Sequence, residues 1–430
     1  MPQTLHLVYK YGILASMKSF IKYSSIILFL GFLLWQVPVV FASHSDQQYF
    51  INVDYYDQVI YASKFGYTTY RKPEIKQFFQ KCKQMGVDGV LWRVSVLGQV
   101  AYQSKTATIF PGNMDCNSLQ GQYLEMARIL QDFDPLDVAV KEAKANGIKI
   151  FAWMTISDEG GIKANGFEKY CESRFITENP HCALLDKTGN AMVGTLCYSE
   201  PAVCKQKLAE IAELCSYDFD GIYLCTRTHA FYRNTDKGDD YGYNMPVIQE
   251  YKRLYGKDIQ KEPFDANLWH QIRAEGFTKF LKNASHIVHK SGKELWLGIK
   301  TAENEKYGWP YGNAVLPWKS WVKDGYIDAI IAGHNFVPPE AIARGTKEFK
   351  SVAKSNQRIL FWIQLFNYQT AKRTDLDVLE KMIKAIDESG ANGGSMHEVA
   401  GLEEDMTGYW DPVSEFVQKN WRKGIDAIQK

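Results

Sequence analysis

Asp158 and Glu159 follow a strand-like run in WMTISDEGG, Glu303 follows another in KTAENEKYGW, and Glu398 closes a third in SMHEVAGLEED. Two carboxyl groups facing each other across a cleft can divide one task. One protonates a leaving oxygen; the other attacks the carbon or activates water, as cleavage of a glycosidic bond requires. Asp158, Glu159, Glu303 and Glu398 are the candidates for that pair. Residues 218–233, DFDGIYLCTRTHAFYR, add Arg227 and His229 just past a fourth run. With Arg93 and Lys300 they would form a basic patch suited to hydroxyl-rich ligands, and particularly to uronate or sulfated sugars. Trp153, Tyr243 and Trp309 offer flat faces on which a sugar ring can stack, and Asp54, Gln364 and His397 complete the candidate binding set. Any one of these residues alone is explained as well by a helix cap, a solvated charge or a core ring, so position must decide.

Competing chemistries find little support. The chain has no GxSxG elbow, no P-loop, no HExxH among its nine histidines and no CxxC, and no glycine fingerprint follows the first strand-like run. Met396-His397-Glu398 is too short to imply a metal site, so neither metal nor organic cofactor is expected. Lys300 could form a Schiff base in principle; a lysine paired with a glutamate explains it more simply. A net charge of +1 over 430 residues gives no reason to expect nucleic acid as a partner.

The N-terminus reads as a targeting segment. Lys18 and Lys22 precede the apolar run SSIILFLGFLLWQVPVVFAS, which ends in the small-x-small pattern Val40-Phe41-Ala42. Met17 opens a compact basic region and is a better start than Met1. The expectation is a signal peptide over 1–42 and a folded unit over 43–430, in the periplasm, the cell envelope or the medium. The competing reading is an uncleaved anchor, since the run is close to the shortest that spans a bilayer; a membrane is a partner only in that case. Eight cysteines fit an exported chain and allow 105 pairings. Cys171 and Cys182 could close one loop, whereas Cys204 and Cys215, on one face of a helix-like stretch, are poorly placed to bond.

Eight β-rich runs recur, at 49–56, 88–96, 148–157, 219–227, 294–302, 326–334, 358–366 and 391–399. Amphipathic stretches such as FDPLDVAVKEAKANG separate them, and three of these stop at Gly86, Gly147 and Gly292 just before the next run. Alternating strand and helix imply a parallel sheet, and eight units imply a closed α/β barrel of the (β/α)8 TIM type. The loops after strands two to five are long, about 20–50 residues, and in this architecture such loops build the site. Alternation along each strand then selects the inward residues. Tyr223, Cys225 and Arg227 share a face opposite Ile222 and Leu224. Arg93 goes with Leu91 and Ser95, Trp296 with Lys300, Trp362 with Gln364, and Asn52 with Asp54.

Several segments resemble the glycosyl hydrolase-like family ten proteins, which are exported barrels. FDPLDVAVKEAKANGIKIFAWMTI is similar to the family's helix and third strand, and ENPHCALLDKTGN with LCYSEPAVCKQKLAEIAELCSYDFDGIYL to the stretch running through strand four. YGYNMPVIQEYKRLYGKDI and LWHQIRAEGFTKFL resemble the continuation in one branch, so the likeness covers most of residues 85–280. The resemblance implies a glycoside hydrolase-type barrel with a carbohydrate substrate. Many members carry an acid late in strand four, in a DGIHxD-type pattern. Here Asp220-Gly221-Ile222-Tyr223-Leu224 keeps the frame and Cys225 stands where the acid would be. Asp220 lies too early on the strand for chemistry and is expected to be structural.

The reading is therefore an exported barrel that hydrolyses O-glycosidic bonds of poly- or oligosaccharides, anionic ones among them, with two carboxylates drawn from strands three, five and eight. The alternative is a carbohydrate-binding barrel that has lost its acid with Cys225. A third is a cell-envelope assembly or anchoring protein.

Overall fold

The structure is a computed structural model that describes residues 47–54, 71–112, 122–162, 169–170, 172–228, 237–334, 336–367 and 372–397. Eight parallel strands close a barrel: β1 Gln48–Val53, β2 Gly89–Arg93, β3 Lys149–Thr155, β4 Gly221–Cys225, β5 Glu294–Ile299, β6 Ala329–Ala332, β7 Arg358–Gln364 and β8 Gly393–His397. They hydrogen-bond in chain order, with β8 beside β1. The expected (β/α)8 architecture is the one observed. Between the strands run α1 Lys72–Met85, α2 Gln122–Asp132, α3 Pro135–Asn146, α4 Pro201–Leu214, α5 Met245–Tyr255, α6 Ala266–Lys290, α7 Trp318–Asp324, α8 Pro339–Lys350 and α9 Leu376–Ser389.

Local sequence sets these boundaries. In FDPLD, Asp134 accepts hydrogen bonds from the backbone N–H groups of Leu136 and Asp137 at 3.0 and 3.4 Å. Pro135 fills the first helical position, where no N–H is needed, so α3 begins there. Along the strands the faces divide as alternation predicts. Phe50, Leu91, Phe151, Trp153, Tyr223, Cys225, Trp296, Ile331, Leu360 and Trp362 pack together inside the barrel. Ile222, Leu224, Leu295, Leu297 and Ile299 pack outward with the helices.

The floor of the barrel repeats one device four times. The residue just before each even strand is Asp88, Asp220, Asp328 or Asn392, and its side chain accepts the backbone N–H of the second residue of the preceding odd strand. The acceptances come from Tyr49, Ile150 and Leu295 at 2.8 Å each, and from Ile359 at 3.0 Å. Asp220 is thus structural, as its early position on the strand implies. The next residue in three of these pairs is small because a large inward ring crosses it. Phe50 lies opposite Gly89, Phe151 opposite Gly221 and Trp296 opposite Ala329. A Cβ on Gly221 would lie 2.4 Å from Phe151 Cε1 and 2.5 Å from the Glu294 carbonyl oxygen. Gly221→Ala is therefore expected to cost about 1–3 kcal/mol through overpacking. An unchanged denaturant midpoint would contradict this account of the floor.

At the carboxyl ends the loops carry small sheets of their own. Among the described residues one has three strands (Ser95–Val96, Gln99–Val100, Thr108–Ile109) and four are antiparallel pairs, the larger two being Ala183–Leu185 with Ala191–Leu196 and Lys306–Gly308 with Gly312–Val315. Cys182 and Cys197, like Cys204, Cys215 and Cys225, are free thiols. The closure of one loop by Cys171 and Cys182, which the sequence allows, rests on Cys171, which lies outside the described residues. Among the described residues no helix is long and apolar enough to cross a membrane.

Candidate active site

Inward parity brings Asp54, the residue after β1, beside Arg93, the last residue of β2. Arg93 Nη1 donates to both Asp54 carboxylate oxygens, at 2.5 and 2.7 Å, and Nε donates to the Ser95 carbonyl at 3.0 Å. Both side chains are fully enclosed. Burial alone would lower the Arg93 pKa, but Asp54 outweighs it and the guanidinium sits above its ordinary value. Its carbon lies 5.0 Å from the centre of the Trp153 ring. Trp153 itself is 0 % exposed and packs edge-on against Trp362 and His397, with centroids at 6.3 and 5.9 Å. In this arrangement it offers no open face to a sugar and forms the floor beneath the strand ends.

Asp158 and Glu159 part company. Beyond β3 the segment 157–159 pairs with the hairpin strand Ala191–Leu196. The Glu159 N–H donates to the Gly194 carbonyl at 2.8 Å, and Asp158 forms a bridge with Thr195. Held there, Asp158 accepts a hydrogen bond from the Thr228 hydroxyl, three residues past β4, and its charge acts on Arg93 and on the buried Tyr307 phenol. Glu159 turns the other way. It pairs with Lys207 of α4, whose ammonium is also 2.9 Å from Glu210. All three are buried. Burial pushes the Glu159 carboxyl above the usual carboxylate range, with Lys207 opposing. Glu159 therefore anchors the loop that carries Asp158 and does not converge with it.

The other candidates separate as clearly. Glu303 is tied to Arg344 of α8 at 2.5 Å and to the Thr301 hydroxyl at 3.5 Å. Tyr243 packs on Trp269 and Phe264, with centroids at 4.9 and 6.5 Å, on the helical layer. Trp309 lies in the turn of the 306–315 hairpin and is 40 % exposed. Lys300 follows β5 and is exposed. Glu398 and His229 lie outside the described residues. A groove of about 390 Å3 between α4, α5 and α6, lined by Pro201, Cys204, Pro246 and Lys279 among others, brings together none of the candidate residues.

Around the remaining rim the groups are basic. Arg227 is half-buried two residues past β4. His397 ends β8, with its ring 4.1 Å from that of Trp362, and Trp362 Nε1 donates to Gln364 at 2.9 Å. Burial holds the His397 imidazole well below its ordinary value, and Arg227, Arg93 and His334 add to the effect. His334 was not among the residues singled out from sequence. It is pushed down to about 3, first by burial and then by Arg227 and Lys300. Alternation from Ala329 and Ile331 would point residue 334 outward. Gly333, at φ 109°, breaks the alternation, which only glycine does without strain. Cys225 is fully buried beneath this rim, and burial raises its thiol pKa against the opposing charges of Arg93 and Arg227. Both imidazoles are expected to remain neutral, with their NMR ring shifts flat from pH 8 to about pH 5. A titration midpoint near the ordinary histidine value for either would contradict the electrostatics described.

A family profile described as Glycosyl hydrolase-like 10 matches residues 52–381, from the end of β1 into α9, and so takes in β2 to β7 and the acid-bearing loop after β3. The chain belongs to that family. Its fold is also that of solved glycoside hydrolases. The glycoside hydrolase domain of PgaB (BpsB) from Bordetella bronchiseptica is similar with a TM-score of 0.57 at 11 % identity, covering 86 % of this chain and 99 % of that one. The catalytic domain of a β-amylase from Paenibacillus polymyxa gives 0.51 at 12 % identity, over 87 % and 99 %. An endo-β-1,4-mannanase from Thermotoga petrophila gives 0.50 at 12 %, over 88 % and 77 %. At such identities the likeness establishes a glycoside hydrolase-type barrel and no more. A comparison with curated proteins returned no match. For a member of the glycosyl hydrolase-like 10 family, a carbohydrate is the substrate class the family implies.

Proposed function

We propose that the protein is an exported glycoside hydrolase that cleaves O-glycosidic bonds of poly- or oligosaccharides, anionic ones among them, by a two-carboxylate mechanism. The observation that carries this reading is the placement of Asp158. It is a carboxyl group at the carboxyl end of the barrel, held by the Thr195 bridge and the Thr228 hydroxyl, among groups that can bind sugar hydroxyls. Of the four candidate acids, Glu159 and Glu303 are committed to Lys207 and Arg344. Glu398, the residue after His397 at the end of β8, is the proposed second acid. One of the two protonates the leaving oxygen, while the other attacks the anomeric carbon or activates water; their separation determines the stereochemical outcome. Gln364 and Trp309 are proposed to bind the sugar, and Arg227 and Lys300 to bind its charged groups. Export rests on the segment 1–42, and N-terminal sequencing of the mature protein after fractionation tests it.

Cys225 favours a second reading, a carbohydrate-binding barrel without turnover, because a buried thiol occupies the strand-four position where the family often carries an acid. One experiment separates the two. Purified protein is incubated with a panel of poly- and oligosaccharides, and new reducing ends are measured for wild type, Asp158→Asn and Glu398→Gln. Turnover lost in both variants supports the hydrolase with this pair. Binding without turnover in the wild type supports the second reading, and turnover that survives both changes sinks the assignment.

A further inference from the structure

We propose that Arg227, Lys300 and His334, at the ends of β4, β5 and β6, form a subsite for an acidic substituent of the sugar, a carboxylate or a sulfate ester. This deepens the carbohydrate reading above and rests on it. Five basic side chains gather at this end of the barrel, each acting electrostatically on at least one other: Arg93, Arg227, Lys300, His334 and His397. Three of them, Arg93, Arg227 and Lys300, are cations, and among the described residues the carboxyl groups that face them from the strand ends are Asp54 and Asp158. Asp54 is committed to Arg93 by two hydrogen bonds. Among the described residues no carboxylate lies within ion-pairing distance of Arg227 or Lys300.

Among the described residues Arg227 is thus half-buried with no ion-paired carboxylate, which is unfavourable in a protein that only has to fold. It becomes useful where a ligand brings the charge. A guanidinium presents a planar fork that matches a carboxylate or a sulfate by two parallel hydrogen bonds. Lys300, on the neighbouring strand, adds a mobile point charge. His334 supplies the third element, because its Nε2 is buried and has no hydrogen-bond partner among the described residues. In the tautomer that carries a proton on Nε2 it is a donor aimed at nothing else. A neutral sugar offers these three groups hydroxyls but no counter-charge. An acidic sugar removes the mutual repulsion of these groups and uses all three.

Calorimetric titration with three size-matched probes tests the assignment: a neutral galacto-oligosaccharide, an oligogalacturonate and a sulfated galactan oligosaccharide, each at low and high sodium chloride. An acidic probe is expected to bind about tenfold or more tighter than the neutral one at low salt, and the advantage is expected to shrink as salt rises. Arg227→Gln and His334→Gln are each expected to remove most of that advantage while changing the affinity for the neutral probe by less than about threefold. Circular dichroism confirms that both variants fold. Preference for the oligogalacturonate alone, the sulfated probe alone or both supports the subsite and identifies the acid. Equal binding of neutral and acidic probes overturns the subsite and leaves the carbohydrate reading standing. Binding of none of these three, nor of any glycan in the wider panel, overturns both.

Discussion

Asp158→Asn is expected to lower kcat by about 10^2–10^4-fold, the range that a positioned acid, base or nucleophile supplies, while leaving the fold intact. The amide has nearly the same shape as the carboxyl and keeps an oxygen to accept from the Thr228 hydroxyl. The bridge to Thr195 is made by backbone and does not depend on the side chain. Loss of rate with little change in denaturant midpoint is therefore the predicted pattern. Equal loss of both would mean that Asp158 serves structure. Activity within about threefold of wild type would remove it from the chemistry.

The second large effect is on stability. Lys207 lies between Glu159 and Glu210 with all three side chains buried, so it compensates two carboxyl groups at once. Lys207→Met removes the only ammonium in that trio and is expected to destabilise the protein by about 3–5 kcal/mol near neutral pH, the usual cost of breaking a buried pair from one side. The sign of the pH dependence follows from Glu159. Burial already raises its pKa in the folded state, and removing Lys207, which opposes that shift, raises it further. Between the unfolded and folded values the folded chain binds more protons than the unfolded one, so stability falls as pH rises there. The variant should consequently lose most at pH 8 and recover towards pH 5, measured by urea unfolding. A loss independent of pH would indicate a packing defect in place of an uncompensated charge. Because Glu159 adjoins Asp158, a loosened trio should also raise KM or lower kcat under conditions where the variant still folds.

Much of the barrel was legible because its signals are local and periodic. Alternation alone sorted Tyr223 and Cys225 from Ile222 and Leu224, and Trp296 from Leu295 and Leu297. The fourfold floor is legible in sequence only at Asp220, whose place before β4 marks it as structural; Asp88, Asp328 and Asn392 share its role through the pairing of the strands. The site was less legible, because parity stops where the strands stop. Asp158 and Glu159 are neighbours, and nothing in SDEGG says that one faces Thr228 and the other Lys207, 48 positions along the chain from Glu159. Glu303 looks like Asp158 in sequence but is tied to Arg344 in α8, the second helix after it. Trp153 was inward, as alternation required, yet inward at its level means covered by Trp362, His397 and Arg93. His334 was missed because one glycine with positive φ redirected the chain, and the only available signal was that Gly333 itself.

The proposed function puts cleavage of a glycan at the carboxyl end of the barrel. A crystal structure of Asp158→Asn with an oligosaccharide drawn from the panel tests this most directly. It predicts a sugar chain across the ends of β3, β4, β5 and β8, with the residue 158 side chain within hydrogen-bonding distance, about 2.6–3.2 Å, of the anomeric centre or the leaving oxygen. An oligosaccharide bound instead in the groove between α4, α5 and α6, or across the rim with no glycosidic oxygen near residue 158, would contradict it.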